Sequence, residues 1–300
     1  MQLGLLLNGL TDARSLGALA AEAEALGFDS LWAGDHVAFP APIIDPLQIL
    51  ACCASHTQRV RLGTCVYLLP LRHPTVVAKM VSSLDYISRG RVIFGIGVGG
   101  EFPVEFQASG VPVNERGGRS NEALAVLRKL WRDGDAEHAG KFFRFDRVRL
   151  KPPPVQPGGP PIWVGGRSDA ALRRTARFGD GYVGYMLSPE SFTDRMGRIR
   201  ELAKDAGRGT TPIAAALMTF AALDDDRAEA VRRTAAMLGA MYGRDMRSAA
   251  ERYCIAGNAE TCRTAVARFA AAGVEHLILT PLASGDGVAD QVRVLARALR

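Results

Sequence analysis

Three short clusters in this 300-residue chain carry side chains that can do chemistry. Gly34-Asp35-His36 sets a carboxylate beside an imidazole, the side chain best suited to give or take a proton near neutral pH. Gly95-Ile96-Gly97-Val98-Gly99-Gly100-Glu101 is rich in glycine, so a flat ring or a phosphate could come close to its backbone. Gly165-Gly166-Arg167-Ser168 precedes the helix-forming run DAALRRTARF, where free amides, a guanidinium and a hydroxyl suit a phosphate. Two of the clusters also have a plainer reading. His36 could be a loop histidine satisfied by solvent or by Asp35, and Ser168 the N-cap of a helix after a glycine turn.

Other candidates weigh less. Cys65, in Gly63-Thr64-Cys65-Val66-Tyr67, has no readable base beside it, and its β-branched neighbours point to a packed strand end. We read Cys65 as structural and His73, in Pro70-Leu71-Arg72-His73-Pro74, as a loop or helix-start residue. The glycine run literally satisfies G-x-G-x-x-G, but a dinucleotide loop leads straight into a helix and is followed by an acidic strand end. Here Phe102-Pro103 is expected to break the turn, with the helix starting near Asn114 and Glu122 inside it. His36, His73 and His276 stand apart from one another, so no metal site is expected.

The elements that must position these residues alternate. Apolar runs at Leu3 to Leu7, Phe28 to Ala33, 60–66, 91–97, 160–166, 180–185, 213–220 and 275–281 read as eight strands, separated by segments of helical period. Gly27 closes the first helix, whose apolar face carries Leu16, Leu19, Ala23 and Leu26. Eight βα units without a change of composition predict an α/β fold, a (β/α)8 TIM barrel spanning 1–300 as one domain. The proline-rich stretch of about 133–160 is an insertion after the fourth helix, with a hairpin over Lys141 to Leu150. In such barrels the site lies at the C-terminal ends of the strands, where all three clusters fall.

Composition narrows the function classes. A net charge of +6 is spread among acids without a basic stripe, which argues against a nucleic-acid surface. No apolar run is long enough for a membrane span, and the start lacks the basic segment of a signal peptide, so a cytoplasmic protein is expected. Five cysteines without a C-x-x-C pair fit free thiols in a reducing compartment.

The runs LGFDSLWAGDHV, PLRHPTVVAKMVSSLDYISRGRVIFGIGVGG, EF-x-A-x-GVP followed by ERGGR, and PPIWVGGRSDAALRRTARFGDGY resemble the luciferase-like monooxygenase superfamily. Its deazaflavin (coenzyme F-420)-dependent oxidoreductase branch is the most similar. The resemblance covers about Leu26 to Tyr182. It implies that Asp35 and His36 face the cofactor and a small-molecule substrate, with His36 the proton donor or a hydrogen-bonding partner of the substrate. It implies that Cys65 and Val66 lie against the ring face, joined by a non-prolyl cis peptide. Gly97, Val98, Gly99 and Gly100 would line the ribityl chain, and Gly165, Gly166, Arg167 and Ser168 the phosphate.

Two departures stand out. Many relatives carry Trp or Glu where Gly100 stands, and Glu101 is no assured replacement. An Arg near Val98, frequent in flavin-using members, is absent, which favours deazaflavin over flavin mononucleotide (FMN). The implied activity is hydride transfer between reduced deazaflavin and a small organic substrate. The alternatives are an FMN-dependent monooxygenase using O2 and reduced flavin from a separate reductase, and a non-catalytic cofactor-binding barrel. A homodimer is implied by the resemblance alone.

Overall fold

The computed structural model describes residues 1–7, 13–282 and 287–299. All eight apolar runs form strands: Gln2–Leu6 (β1), Ser30–Ala33 (β2), Arg61–Thr64 (β3), Val92–Gly97 (β4), Ile162–Gly165 (β5), Gly181–Tyr185 (β6), Ala214–Leu223 (β7) and His276–Pro281 (β8). They pair in parallel in sequence order, and β8 pairs with both β7 and β1, so the sheet closes into a (β/α)8 barrel. Proline or a capping side chain starts several of the helices that follow the strands. Pro46 and Pro74 open the helices Pro46–His56 and Pro74–Ile87, capped by Asp45 and His73. His73 therefore has the helix-start role expected of it.

The two-residue period of the strands separates two cores. Leu5, Leu31, Leu62, Phe94 and Val164 point outward to the helices, while Leu6, Trp32, Ile93, Trp163 and Val183 fill the barrel interior. Trp32 and Trp163 pack with their rings tilted by 32° at 5.3 Å between centroids. Gly63 makes room for them, because a Cβ there would lie 2.1 Å from Trp32 Cε3. Below the indoles, at the N-terminal ends of the strands, Trp32 Nε1 donates to Ser30 Oγ at 2.6 Å. Ser30 Oγ in turn meets His276 Nε2 at 2.6 Å, and His276 Nδ1 meets Gln2 Oε1 at 3.0 Å. A neutral imidazole completes this chain, with Nδ1–H donating to the amide oxygen and Nε2 accepting from the serine.

Burial lowers the His276 pKa to about 4. The barrel thus holds the ring neutral, whereas the unfolded chain protonates it below about 6.5. Stability from this group is full above that pH and is lost as the pH falls towards 4, a loss of about 3 kcal/mol. Denaturant unfolding of wild type and His276→Gln at pH 7.5 and pH 5 checks this. The variant should lose less stability between the two conditions than the wild type; equal losses would remove His276 as the source.

Two expectations need correction. Pro103 does not end helical structure but begins it: a short helix, Pro103–Ala108, starts directly after Phe102, before the long helix Arg116–Asp133. Proline is suited to the first helical position, where its missing N–H has no partner to lose. The hairpin is also longer than Lys141 to Leu150, pairing Asp135–Ala139 with Arg144–Arg149 and placing Lys141 in its turn. Glu122 fastens that turn by accepting from the amides of Phe142 and Phe143.

Candidate active site

Asp35 lies just past β2 and is buried. Oδ2 accepts from Leu68 N at 2.8 Å and from Arg72 Nη1 at 2.5 Å, and Oδ1 accepts from Arg72 Nη2 at 2.9 Å. The guanidinium also sits over the Tyr67 ring and reaches Asp45 at 3.6 Å. Both carboxylate oxygens of Asp35 are therefore committed, and the residue ties the loop after β2 to the segment after β3.

His36 has a different setting. Its Nδ1 lies 3.1 Å from Oε1 of Glu105, a buried side chain on the Pro103–Ala108 helix. The same oxygen accepts from Val37 N at 2.7 Å and Ala38 N at 3.2 Å, so it acts as an acceptor and Nδ1 as the donor. Phe39 stacks on the imidazole at 4.2 Å and Phe102 meets its edge at 5.4 Å. The ring is fixed in place, its side chain is 23% exposed, and Nε2 has no partner among the described residues. Such an imidazole can exchange a proton at Nε2 while Nδ1–H stays hydrogen-bonded to the carboxylate, which fixes the tautomer and the ring's orientation.

The Cys65-Val66 peptide is cis, as the resemblance implied. Val66 crosses the ends of β4 and β5. A Cβ on Gly97 would stand 2.4 Å from Val66 Cγ2, and one on Gly165 would stand 2.7 Å from Cγ1. The two glycines and Val66 thus form a floor at the mouth with no side chain rising from β4 or β5. Cys65 packs against the interior cluster, and burial pushes its thiol up to about 12, so it is no ready nucleophile. Gly97→Ala should cost about 1 to 3 kcal/mol by overpacking against a stiff β-branched residue. Gly197→Ala, on a helix with nothing near its Cβ, is the control. A thermal melt separates them, with the first variant falling and the second holding or rising.

Farther round, Gly99 and Gly100 have positive φ, and Arg116 comes within 3.0 Å of where a Gly100 Cβ would stand. A guanidinium therefore occupies the place beside Gly100, while the carboxylate near the histidine comes from Glu105. Val98 is half-buried. Ser168 caps the helix Asp169–Phe178 by accepting from Ala171 N at 3.3 Å. Arg167 lies over the Tyr185 ring, and its carbonyl accepts from Arg195. Gly166 accepts from the Tyr182 hydroxyl at 2.9 Å. The three clusters thus share one mouth: Glu105, on the helix that follows the glycine run, reaches back to His36, and the second and third clusters meet at Val66. No described contact joins Arg167 or Ser168 to His36.

Sequence reasoning missed Glu105, Arg72, Phe39 and Phe102. The first sits within the EF-x-A-x-GVP run and the second within PLRHP, both quoted above without a role for these residues. A separate cavity of about 610 Å3 lies outside the barrel, among Ser188, Arg227, Arg252, Glu260 and Arg268, and shares no residue with the mouth. No group of three or more possible metal ligands occurs among the described residues. Likewise no described helix is long and apolar enough to cross a membrane.

The molecule is thus a closed parallel (β/α)8 barrel with a fixed histidine and a glycine-paved mouth at the C-terminal ends of its strands. Residues 2–299 match the luciferase-like monooxygenase family, and the chain belongs to that family. An uncharacterized protein of Mycobacterium tuberculosis is 32% identical over 225 residues, which are 68% of this chain and 76% of that one. An F420-dependent glucose-6-phosphate dehydrogenase of Nakamurella multipartita is 29% identical over 229 residues, covering 73% of this chain and 66% of its own length. In fold, the solved structure of an F420-dependent secondary alcohol dehydrogenase with an F420-acetone adduct matches with a TM-score of 0.87. At 22% identity, it covers 100% of this chain and 99% of that one.

Proposed function

We propose that the chain is a deazaflavin-dependent oxidoreductase acting on a small organic substrate, with His36 as its proton-exchanging group. The observation that carries this reading is His36, clamped by Glu105 and two phenylalanines and open at Nε2, at the same end of the barrel as the floor formed by Val66, Gly97 and Gly165. That floor can carry a planar ring, since neither Gly97 nor Gly165 raises a side chain there and Val66 packs directly over both. Cys65 and Val66 would lie against the ring, Gly97 to Gly100 along the chain that follows it, and Gly165 to Ser168 near the phosphate. There the first-turn amides of Asp169 and Ala170 have no partner among the described residues, and Arg167 supplies a cation.

A bound deazaflavin exchanges a hydride with a carbonyl or unsaturated carbon, chemistry that no side chain here supplies. The protein's own part is to hold and move the proton. In the oxidising direction Nε2 takes the proton from the substrate hydroxyl, and Glu105 steadies the resulting imidazolium. In the reducing direction the imidazolium returns the proton to the substrate oxygen. Asp35 acts through position: paired with Arg72, it sets the loop from which His36 projects.

The five unpaired thiols are in keeping with a cytoplasmic setting. The assembly we propose is a homodimer, with the exposed Val76, Tyr86 and Ile87 of the Pro74–Ile87 helix on the paired face. Light scattering should then return twice the 32.1 kDa chain mass.

The test is an anaerobic assay of a carbonyl panel with reduced deazaflavin, following the absorbance of the oxidised cofactor. Oxidation that requires a carbonyl compound and proceeds without O2 supports the proposal. Turnover only with O2 and reduced FMN would make the chain a monooxygenase, as the family's description has it. Cofactor binding without turnover on any compound would make it a binding barrel.

A further inference from the structure

The cavity of about 610 Å3 outside the barrel is of a size that holds a small ligand. The segment Tyr253-Cys254 stands between it and the barrel: both residues line the cavity, and both pack against the interior cluster. On the mouth side that cluster continues through Tyr185 and Tyr242, whose hydroxyls hydrogen-bond to each other. Thr219 Oγ1 on β7 donates to Tyr253 O at 2.6 Å and ties the segment to the barrel. The cavity is therefore a second compartment, set apart from the mouth by one stretch of chain.

Four helices bring charge to it. One face of the helix Ala259–Ala271 forms a side, with Glu260, Thr264 and Arg268 on successive turns. Glu190 lines it from the start of the helix Pro189–Asp205, Arg227 from the start of Arg227–Tyr242, and Arg252 from the end of Arg247–Tyr253. Ala256, Ala265 and Phe269 supply apolar wall, and the Arg252 guanidinium lies over the Tyr253 ring at 5.5 Å.

The carboxylates of this lining are already balanced. Glu190 meets Arg268 at 3.7 Å, and Glu251 meets Arg247 at 3.4 Å. Glu260 stands in the first turn of its helix, where the free amides favour a negative charge. Two guanidiniums are left over, since neither Arg227 nor Arg252 has an ion pair among the described residues. Gly257 lets the first of them settle: a Cβ there would stand 3.4 Å from Arg227 Cγ and 3.2 Å from Thr261 Cγ2, so the arginine stem lies along the start of the Ala259–Ala271 helix. Two unpaired cations facing one cavity repel each other, and an anion held there relieves both.

We infer that this cavity binds a small organic anion, a carboxylate or phosphate monoester carrying an apolar ring or short chain. Arg227 and Arg252 supply the positive charge, and Ala256, Ala265 and Phe269 receive the body. The site stands whether or not the oxidoreductase reading does, because it uses neither His36 nor the floor at Val66.

The experiment is calorimetric titration of the full chain with benzoate, phenyl phosphate, benzyl alcohol and benzylamine. At least one of the two anions should bind about tenfold or more tightly than the alcohol and the amine, and the tighter of the two identifies the preferred group. Arg227→Met and Arg252→Met should each weaken that anion by about three- to tenfold. Glu260→Gln should strengthen it, and Thr264→Trp, which puts an indole into the cavity, should abolish binding. Arg227, Arg252 and Thr264 are exposed, so these variants should melt as the wild type does. His36→Ala should bind the anion as the wild type does, which separates this site from the mouth.

Absence of saturable heat with both anions would overturn the inference. So would benzyl alcohol or benzylamine binding as tightly as the anions, or wild-type affinity in both arginine variants or in Thr264→Trp.

Discussion

His36→Ala should lower turnover by roughly two to four orders of magnitude, the usual contribution of a positioned acid or base, while reduced-cofactor affinity stays within about threefold. The asymmetry follows from the geometry. The proposed cofactor floor is Val66, Gly97 and Gly165, none of which touches the imidazole, whereas Nε2 is the atom left for substrate. Glu105→Gln should fall between wild type and His36→Ala. An amide can still accept from Nδ1–H, but it cannot neutralise an imidazolium. Single-turnover oxidation of reduced cofactor, measured beside a binding titration, checks both variants. Unchanged turnover in His36→Ala would remove the residue from the mechanism, and a collapse of cofactor affinity would make it a cofactor ligand instead.

Arg72→Ala should destabilise the barrel by about 3 to 5 kcal/mol, because it leaves the buried carboxylate of Asp35 without its partner. Asp35 side-chain exposure is 0%, so in the folded barrel its charge relies on the guanidinium and the Leu68 amide rather than on water. The double variant Asp35→Asn/Arg72→Met should recover much of the loss, since the cost lies in the unpaired charge rather than in the missing contact. Removal of the exposed pair partner in Arg132→Ala should leave the unfolding midpoint where it was. Denaturant melts of the four proteins decide this. If Arg72→Ala behaves like Arg132→Ala, the Asp35 pair is not what holds the β2 loop.

The barrel was legible because each strand is a short apolar run bounded by turn residues, and eight such runs in alternation with helices leave few other folds. The glycines at 97 and 165 were legible as places of close approach, though what approaches them first is Val66, a neighbour no local pattern reveals. The partners of the two acidic residues were not legible. Asp35 meets Arg72 across 37 residues and His36 meets Glu105 across 69, and both distances close only once the strands stand in register. The Pro103 helix was misread because proline in sequence marks a helix start as well as a helix break, and only the chain direction after Phe102 distinguishes them. Likewise, the Tyr185 and Tyr242 pair joins a strand end to the last residue of a helix, two positions unrelated by any period.

The most direct measurement is an absorbance and fluorescence titration of the purified protein with oxidised and reduced deazaflavin and with oxidised and reduced FMN. The barrel mouth described here predicts saturable binding of deazaflavin, tighter than FMN and weakened in Gly97→Ala. Tighter binding of FMN, or deazaflavin binding untouched by Gly97→Ala, would contradict it.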